Sequence, residues 1–477
     1  MVKTVNHPWL CLSVLLMMVS SVVAEKVPFI EVDPASTTAF RENGMGRPFV
    51  SIGLNYFDPE TGWAPHLWQK FDEGRVAQQL RMIGKQGFNT IRVFITLASF
   101  EQEPGKLTAE GETKFRKLLA MCRSNGLRVI PTGPDHWEGV PSWYKGDRFA
   151  DETLLAAEES WWKQSTGRFA NEPTILAWDL ANEPTVAWDT PAMQVKWNHW
   201  LKSRYGSADK IAAAWKVPAD KIEPFGKIPV SPKTPARGDI RLLDYQRFRE
   251  HIGDAWTARM AAAIRSVDKR HMITVGHIQW AAPVLLPNAV WSYAGFNLRD
   301  NARHVDFTTI HCYPLDWPKP GDRPDGIAVN RVYLQALLHE ASVGKPLMIG
   351  EFGWYGGGEV PGQLPNRPVQ HQVEWCNQLL DVSRGRVCGW LNWAFADTVS
   401  SNDITRWSGC WTSDLKLKPW GKAFGEFARA TTMKPVVSRG FDPPFIQIKF
   451  DRDAALTDPA AGNEYRQALR AAVSQSP

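Results

Sequence analysis

The sequence predicts an α/β protein with a (β/α)8 TIM barrel. Eight apolar, strand-like runs recur along the 477 residues, and most are followed by apolar residues at helical spacing. Regular alternation of strand and helix predicts parallel pairing with right-handed crossovers, and eight such units close into a barrel. The chain is long enough for a barrel of about 250 to 400 residues with an insertion and a tail. The predicted strands cover residues 49–56, 89–95, 128–132, 175–182, 272–277, 307–313, 347–352 and 387–395.

The segments between the runs carry helix-ending signals. Val76, Leu80 and Ile83 form one apolar stripe that ends at Gly87, and the next stripe ends at Gly126. Glycine just past a helix is a common C-terminal stop, because it adopts the left-handed conformation without steric cost. These signals support helices between the first three strands.

Two segments depart from the repeat. Residues 185–239 lie between the fourth strand and its helix and enlarge the fourth βα loop, at the barrel face where active sites are found. The eighth helix should end near Thr432. We therefore predict a catalytic barrel over residues 25–432 and a short, partly disordered C-terminal extension over residues 433–477.

Residues 1–24 have the features of a signal peptide. A short polar lead with Lys3 and His7 precedes an apolar run over residues 10–23, and the small residue Ala24 follows. The run is shorter than the roughly 20 residues of a membrane-spanning helix. The sequence thus predicts a mature chain that begins near Glu25, is secreted or periplasmic, and has no integral membrane span.

Composition excludes several classes of partner and cofactor. The net charge of +5 arises from 55 basic and 50 acidic residues without a basic block, which argues against nucleic-acid binding. Loss of Cys11 with the signal peptide leaves an odd, sparse set of cysteines, which we expect to be mostly buried thiols with no zinc-type spacing. The 23 tryptophans suit either a sugar cleft or core packing. Nothing in the sequence indicates an oligomeric state.

Two strand-end glutamates are the strongest chemical signal. Trp178-Asp-Leu-Ala-Asn-Glu183-Pro ends the fourth run, and Gly350-Glu351-Phe-Gly-Trp ends the seventh. Barrel closure brings both glutamates to one rim, where one carboxylate can attack a sugar while the other protonates the leaving oxygen. A separation of about 5 Å predicts retention, and about 6.5 to 9.5 Å predicts inversion. The alternative is that each glutamate merely pairs with a basic neighbour.

Residues 172–184, Glu-Pro-Thr-Ile-Leu-Ala-Trp-Asp-Leu-Ala-Asn-Glu-Pro, resemble the mannanase form of the family 5 glycoside hydrolases, the cellulase and mannanase group. The resemblance extends over roughly residues 49–432. It implies that Glu183 is the general acid/base, that Glu351 is the nucleophile, and that Asn182 hydrogen-bonds the sugar 2-hydroxyl. It implies no metal and no organic cofactor.

The same resemblance assigns supporting roles on other strands. Arg92 would lie beside Glu351, and its positive charge would keep that carboxylate ionised. An arginine in an apolar strand needs a buried acidic partner in any case. His311 and Tyr313 alternate on one face of the sixth strand, so Tyr313 would donate to Glu351 and His311 would border the sugar. Asp179 is expected to be buried and structural.

Aromatic and histidine side chains complete the predicted cleft. Trp393 matches the tryptophan beneath the cleaved sugar, with Trp390 as a second candidate for that role. His136, in a loop after the third strand, is a candidate substrate-binding residue, although the family usually places its histidine directly at the strand end. Packing alone is the competing explanation for each tryptophan.

The sequence therefore predicts a retaining hydrolase of β-glycosidic bonds in a carbohydrate substrate, with β-mannan or β-glucan favoured. Residues 197–207 resemble a phrase of barrel β-galactosidases, although packing of a structural helix pair is the favoured interpretation. An exo-acting β-galactosidase-like enzyme and a non-catalytic carbohydrate-binding barrel remain alternatives. Metal-dependent hydrolysis is disfavoured because His136, His277 and His311 are widely scattered.

Overall fold

A computed structural model gives the fold of the chain. It describes Met1 and residues 27–36, 38–135, 140–234, 236–283, 289–314, 326–434 and 449–474. Eight parallel strands form a closed barrel in sequential order, which confirms the predicted (β/α)8 architecture. The strands are β1 (Ser51–Asn55), β2 (Thr90–Thr96), β3 (Arg128–Asp135), β4 (Ala177–Asn182), β5 (Met272–His277), β6 (Thr308–Cys312), β7 (Leu347–Phe352) and β8 (Gly389–Asn392).

The barrel strands are apolar because both of their faces are covered. Every residue of β2 and β7 is buried, one face toward the barrel interior and the other toward the helices. A small antiparallel sheet packs at the opposite end from the predicted site, where Ile30 and Phe40 join Leu176, Phe307 and Met348 in one apolar cluster. This cluster closes the N-terminal end of the barrel, and the polar strand ends lie at the other rim.

Helices surround the barrel as the apolar stripes predicted. Asp72 accepts a hydrogen bond from the backbone N–H of Arg75 at the start of the first long helix, and Gly87 follows that helix with φ +98°. Gly126 has φ +69° after the next helix. The long helices are Glu73–Lys85, Ala109–Ser124, Glu152–Phe169, Ile240–Val267, Ile327–Ala341, Val369–Ser383 and Pro419–Met433.

The enlarged fourth βα loop is a folded insertion. Its helices are Pro191–Tyr205 and Ala208–Trp215. Trp197 is fully buried and stacks on Trp200 and Trp215, with ring centroids 5.4 and 6.2 Å apart. These tryptophans therefore pack the insertion together, in agreement with the structural explanation of the segment that resembles β-galactosidases.

The C-terminal extension contains ordered structure. Residues Arg452–Thr457 and Pro459–Ser474 form two helices that pack on the barrel helices and on the loop after β5. The proposed signal peptide lies outside the described residues, apart from Met1. Among the helices that are described, none combines the length and the apolar character needed to cross a bilayer. The cysteines at positions 122, 312, 376, 388 and 410 are buried and free, as predicted.

Candidate active site

Glu183 and Glu351 lie together at the C-terminal rim of the barrel. Glu183 follows β4 directly and has φ +47°, in the left-handed region, while its N–H donates to the carbonyl of Gly276 at 2.8 Å. Glu351 is the last residue but one of β7. Their side chains are 19% and 5% exposed, and both line a cavity of about 680 Å³. Two acids distant in sequence therefore share one pocket.

The two carboxylates are close enough to act on the same atom. One oxygen of each and a ring nitrogen of His311 all lie within 4.8 Å of one another. His311 Nδ1 is 2.8 Å from Glu183 Oε1 and 3.5 Å from Glu351 Oε2. Inversion needs carboxyl groups about 6.5 to 9.5 Å apart to admit a water, whereas this pair brings one oxygen of each carboxylate within 4.8 Å of the other.

Arg92 is the centre of a buried polar network beneath the glutamates. Its Nη1 donates to Glu351 Oε1 at 2.6 Å and to Asn55 Oδ1 at 3.0 Å, its Nε to Asp179 Oδ2 at 2.9 Å, and its Nη2 to Asn182 Oδ1 at 2.9 Å. The side chain of Arg92 is 1% exposed. The buried acidic partners that a strand arginine requires are therefore both present.

Asp179 is buried below the cavity, as expected, and its contacts explain a glycine. Its Oδ2 accepts from Thr132 Oγ1 at 2.9 Å and its Oδ1 accepts from the N–H of Gly276 at 2.6 Å. A Cβ at position 276 would lie 2.7 Å from Arg92 Nη2 and 2.9 Å from Asp179 Oδ2. Only glycine lets the backbone of β5 approach this ion pair.

Tyr313 holds the second oxygen of Glu351. Its hydroxyl donates to Glu351 Oε2 at 2.8 Å, and its backbone N–H donates to Gln279 Oε1 at 2.7 Å. Each oxygen of Glu351 thus has its own donor, Arg92 on one and Tyr313 on the other. This arrangement fixes the orientation of the carboxylate.

Burial dominates the ionisation of the pair. It raises the pKa of Glu183 to about 7, and Arg92 opposes this rise only in part. The pKa of Glu351 is also raised by burial, although His311, Arg92 and the hydrogen bond from Tyr313 act to lower it. Arg92 therefore favours the ionised form as the sequence suggested, but the depth of the site outweighs its effect.

His311 is neutral at neutral pH, because burial lowers its pKa to about 4. Its Nδ1 faces both carboxylates. We assign its proton to Nδ1, which donates to Glu183 Oε1 and leaves the other oxygen of Glu183 to carry a transferable proton.

Trp393 forms part of the cavity wall, whereas Trp390 does not. The indole N–H of Trp393 donates to Thr405 Oγ1 at 2.8 Å, and its ring centroid is 5.8 Å from that of Trp63. Trp390 is 2% exposed and packs edge-on against Phe427, outside the barrel. The prediction of Trp390 as a second candidate for the sugar site is therefore wrong.

Several lining residues went unpredicted. Gln279 and Trp280 follow β5, and Asp403 and Thr405 lie in the loop after β8. Gln279 comes two residues after the end of β5. The rule that functional residues of a barrel lie at the C-terminal ends of its strands, which identified Glu183, therefore also indicates Gln279. Asp403 and Thr405 lie more than ten residues past β8, where no local pattern indicates the cavity. The candidate His136 lies outside the described residues.

The cluster of two glutamates and a histidine suits acid–base catalysis better than it suits binding of a metal ion. Glu183, His311 and Glu351 are spaced closely enough to ligate one ion. However, Glu351 already bonds the buried guanidinium of Arg92, which would repel a divalent cation at short range. His277 bonds the carbonyl of Thr309 and is not a member of the described cluster of metal-type ligands.

Known proteins resemble both the sequence and the fold. A family model for cellulase, glycosyl hydrolase family 5, matches residues 45–228, and a β-galactosidase model, glycosyl hydrolase family 42, matches residues 147–354. The probable mannan endo-1,4-beta-mannosidase F of Emericella nidulans is 23% identical over 397 residues, which cover 77% of this chain and 73% of that protein. The putative mannan endo-1,4-beta-mannosidase 9 of Oryza sativa is 30% identical over 105 residues, only 21% of this chain and 26% of that protein.

Solved structures share the barrel. A GH5_18 protein of Streptomyces cattleya, a glutamate-to-alanine variant in complex with Manβ1-4GlcNAc, superposes with a TM-score of 0.61 at 17% identity and covers 89% of this chain and 92% of that one. The barrel and its paired strand-end carboxylates define the class, a (β/α)8-barrel glycoside hydrolase. The family 5 match and the mannosidase relatives support a family 5 glycoside hydrolase.

Proposed function

We propose that this protein hydrolyses β-glycosidic bonds with net retention of configuration. The observation that carries the proposal is the placement of one oxygen each of Glu183 and Glu351 within 4.8 Å, in unlike surroundings. Glu351 receives donors on both oxygens, which suits a carboxylate, whereas burial raises the pKa of Glu183 to about 7, which suits an acid. This division of roles is the one that double displacement requires.

In the first step, Glu351 attacks the anomeric carbon while Glu183 protonates the leaving oxygen. The bond from the anomeric carbon to that oxygen breaks, and an ester bond from the same carbon to Glu351 forms. In the second step, Glu183 takes a proton from water, whose oxygen attacks the anomeric carbon, and Glu351 leaves as a carboxylate. Two inversions give retention, and Glu183 returns to its protonated form.

The neighbouring donors support both steps. Arg92 and Tyr313 stabilise the negative charge that returns to Glu351 when the intermediate breaks down. Asn182 lines the cavity and uses its side-chain carbonyl oxygen on Arg92, and that bond orients its amide N–H group. We infer that this amide binds the 2-hydroxyl of the reacting sugar, where a bond that strengthens in the transition state accelerates reaction.

The favoured substrate is a β-mannan. The curated relatives are named mannan endo-1,4-beta-mannosidases, and the longer of the two matches reported above covers most of both chains. The cavity suits a sugar ring, since Trp63, Trp280 and Trp393 offer aromatic surface beside Glu183 and Glu351. A β-glucan is the next substrate in order of preference.

A second candidate is exo-acting β-galactosidase activity, which the family 42 match favours. That match includes both glutamates and the insertion after β4. The tryptophans of the insertion pack internally, so this resemblance adds no described contact with a sugar. A non-catalytic barrel is disfavoured because both glutamates retain their hydrogen-bond partners.

The deciding experiment is hydrolysis of a matched panel of β-mannan, β-glucan, xylan and aryl β-glycosides, including the β-galactoside. The configuration of the first-formed sugar is followed by proton NMR. We expect β-mannan to be cleaved and the β-anomer to appear first. An initial α-anomer would contradict retention, and preference for the aryl β-galactoside would favour the second candidate. Binding without hydrolysis would favour the non-catalytic barrel.

The pH profile should report the acid. Because Glu183 must be protonated in the free enzyme and its pKa is about 7, we expect kcat/KM to fall as the pH rises through about 7. On a substrate with a good leaving group, which needs no proton, Glu183→Gln should remove this basic limb. A basic limb that persists in Glu183→Gln would assign it to another group.

Asn182→Ala should slow hydrolysis by about 10² to 10³-fold, the usual effect of deleting one transition-state donor. The loss should be much smaller on the 2-deoxy form of the same substrate, because that sugar has no 2-hydroxyl to bind. Kinetics on both substrates give the comparison. Equal losses would mean that Asn182 acts through Arg92 rather than on the sugar.

We propose further that residues 1–24 direct export of the chain. The proposal rests on the polar lead, the apolar run and Ala24. N-terminal sequencing of protein recovered outside the cytoplasm should begin near Glu25. Recovery of the intact N-terminus in the cytoplasmic fraction would contradict it.

A further inference from the structure

We propose that the C-terminal segment, residues 449–474, belongs to the substrate-binding apparatus: it positions Trp280 for the sugar on the leaving side of the scissile bond. The inference rests on the proposed function and deepens it. The segment follows the last barrel helix in sequence, yet its first helix packs against the loop after β5 that enters the cavity.

Trp280 joins the cavity to this segment. It lines the pocket that contains Glu183 and Glu351. It also packs, with Phe450, against a small apolar cluster formed by Ala289 of the β5 loop and Ala455 of the C-terminal helix. The cluster is separate from the main core, and within the described residues Ala455, Phe450 and Ala461 are the C-terminal contribution to it.

Two buried hydrogen bonds from one side chain fix the C-terminal helix to the loop after β5. Gln246 is fully buried, and its side-chain amide donates to the carbonyl of Val290 at 3.1 Å and to that of Leu456 at 3.3 Å. Val290 belongs to the β5 loop and Leu456 to the C-terminal helix. One side chain of the barrel helix therefore sets the relative position of both.

An ion pair provides a second attachment. Arg452 bonds the carboxylate of Glu250, and it also donates to the hydroxyl of Tyr293 at 2.9 Å. Tyr293 is fully buried and donates in turn to Glu250 at 2.7 Å. Tyr293 lies in the β5 loop, so the contact holds that loop against Arg452 of the C-terminal segment. The side chain of Arg452 is itself mostly buried.

Backbone hydrogen bonds connect Trp280 to the loop that follows Glu183. The N–H of Ala294 donates to the carbonyl of Trp280 at 3.1 Å, and the N–H of Val186 donates to the carbonyl of Ala294 at 2.8 Å. Val186 lies three residues after Glu183. The C-terminal segment, the β5 loop and the loop of the acid thus form one hydrogen-bonded layer.

The position of Trp280 specifies which sugar it meets. It follows β5, next to the strand that carries Glu183, whereas Trp393 follows β8, next to the strand that carries Glu351. The acid delivers its proton to the leaving oxygen, so the ring beside it faces the leaving group. Loss of the C-terminal support should therefore weaken binding of a leaving sugar rather than attack on the anomeric carbon.

The test compares two substrates of the same reacting sugar, an oligosaccharide and the glycosyl fluoride, whose leaving group is too small to reach Trp280. We expect Arg452→Ala to lower kcat/KM on the oligosaccharide about five- to tenfold, comparable to loss of one aromatic contact, and to leave the fluoride unaffected. Arg452→Lys should recover part of the loss. Trp280→Ala should show the same substrate dependence, and adding Arg452→Ala to it should have little further effect.

Arg237→Ala is the matched control, because Arg237 is 54% exposed and pairs with Asp458 and Glu464 of the same segment. Equal loss on both substrates, or no difference between Arg452→Ala and Arg237→Ala, would overturn the inference. If Arg452→Ala does not fold, Phe450→Ala tests the same support without exposing a buried charge. Wild-type protein inactive on both substrates would instead overturn the proposed function.

Discussion

Glu351→Ala is expected to lower hydrolysis of the favoured substrate by roughly 10⁴-fold or more, equivalent to about 5.5 kcal/mol of barrier. Glu351 is the carboxylate that both Arg92 and Tyr313 orient, so its loss removes the attacking atom and leaves the donors without an acceptor. Initial rates on an aryl β-glycoside measure the effect. Glu110→Ala, at an exposed helix position, should retain wild-type rates.

Reaction with azide, a small anion, should distinguish the roles of the two glutamates. In Glu351→Ala, azide can enter on the vacated face and attack once, so we expect an α-glycosyl azide. In Glu183→Ala, the ester on Glu351 still forms from a substrate with a good leaving group, and azide should give the β-glycosyl azide. Proton NMR distinguishes the anomers. The opposite pairing of variant and anomer would exchange the roles assigned to the two residues.

Arg92→Met should cost about 3 to 5 kcal/mol in the free energy of unfolding, as expected when one partner of a buried ion pair is removed. The change leaves Asp179 and Glu351 buried without their cation. Arg116→Met is the matched control, because its pair with Glu112 is more than half exposed on the arginine side and should contribute only about 0 to 1 kcal/mol. Urea unfolding measures both variants.

The free energy of unfolding of Arg92→Met should depend on pH. Arg92 lowers the pKa of Glu351 against the rise that burial causes, so without the guanidinium the folded-state pKa of Glu351 is higher and the folded state favours its protonated form. The stability of Arg92→Met should fall as the pH rises through the raised pKa of Glu351, and its deficit relative to wild type should shrink at low pH. Asp179→Asn in the Arg92→Met background should recover part of the loss. Equal stability of Arg92→Met and Arg116→Met would refute the account.

The barrel and its reacting pair were accessible from sequence because local rules fix them. Glu183 and Glu351 end apolar runs, and parallel strands present their ends at one rim. Arg92 was identifiable for a similar reason, since a charged residue within a buried strand requires partners. The ionisation of Glu351 was less accessible, because the sequence indicates which charges are near but not how deeply the group is buried.

Features that depend on distant parts of the chain escaped prediction. Trp390 and Trp393 are three residues apart, and β8 ends at Asn392, so the direction of Trp393 depends on the turn that follows rather than on strand alternation. Trp280 is supported by residues 170 positions or more away, such as Phe450. No periodicity in either segment indicates that contact.

The hydrogen bonds around Arg92 link strands from both halves of the barrel at its polar centre. They join Asn55 of β1, Arg92 of β2, Asp179 and Asn182 of β4 and Glu351 of β7, so the partners come from both halves of the chain. A fragment that ends after β4 would contain the cation but lack Glu351, and the complementary fragment would contain that acid alone. Neither half can then bury its charges as the whole does. The groups that orient the nucleophile thus also favour a completed ring over a partial one.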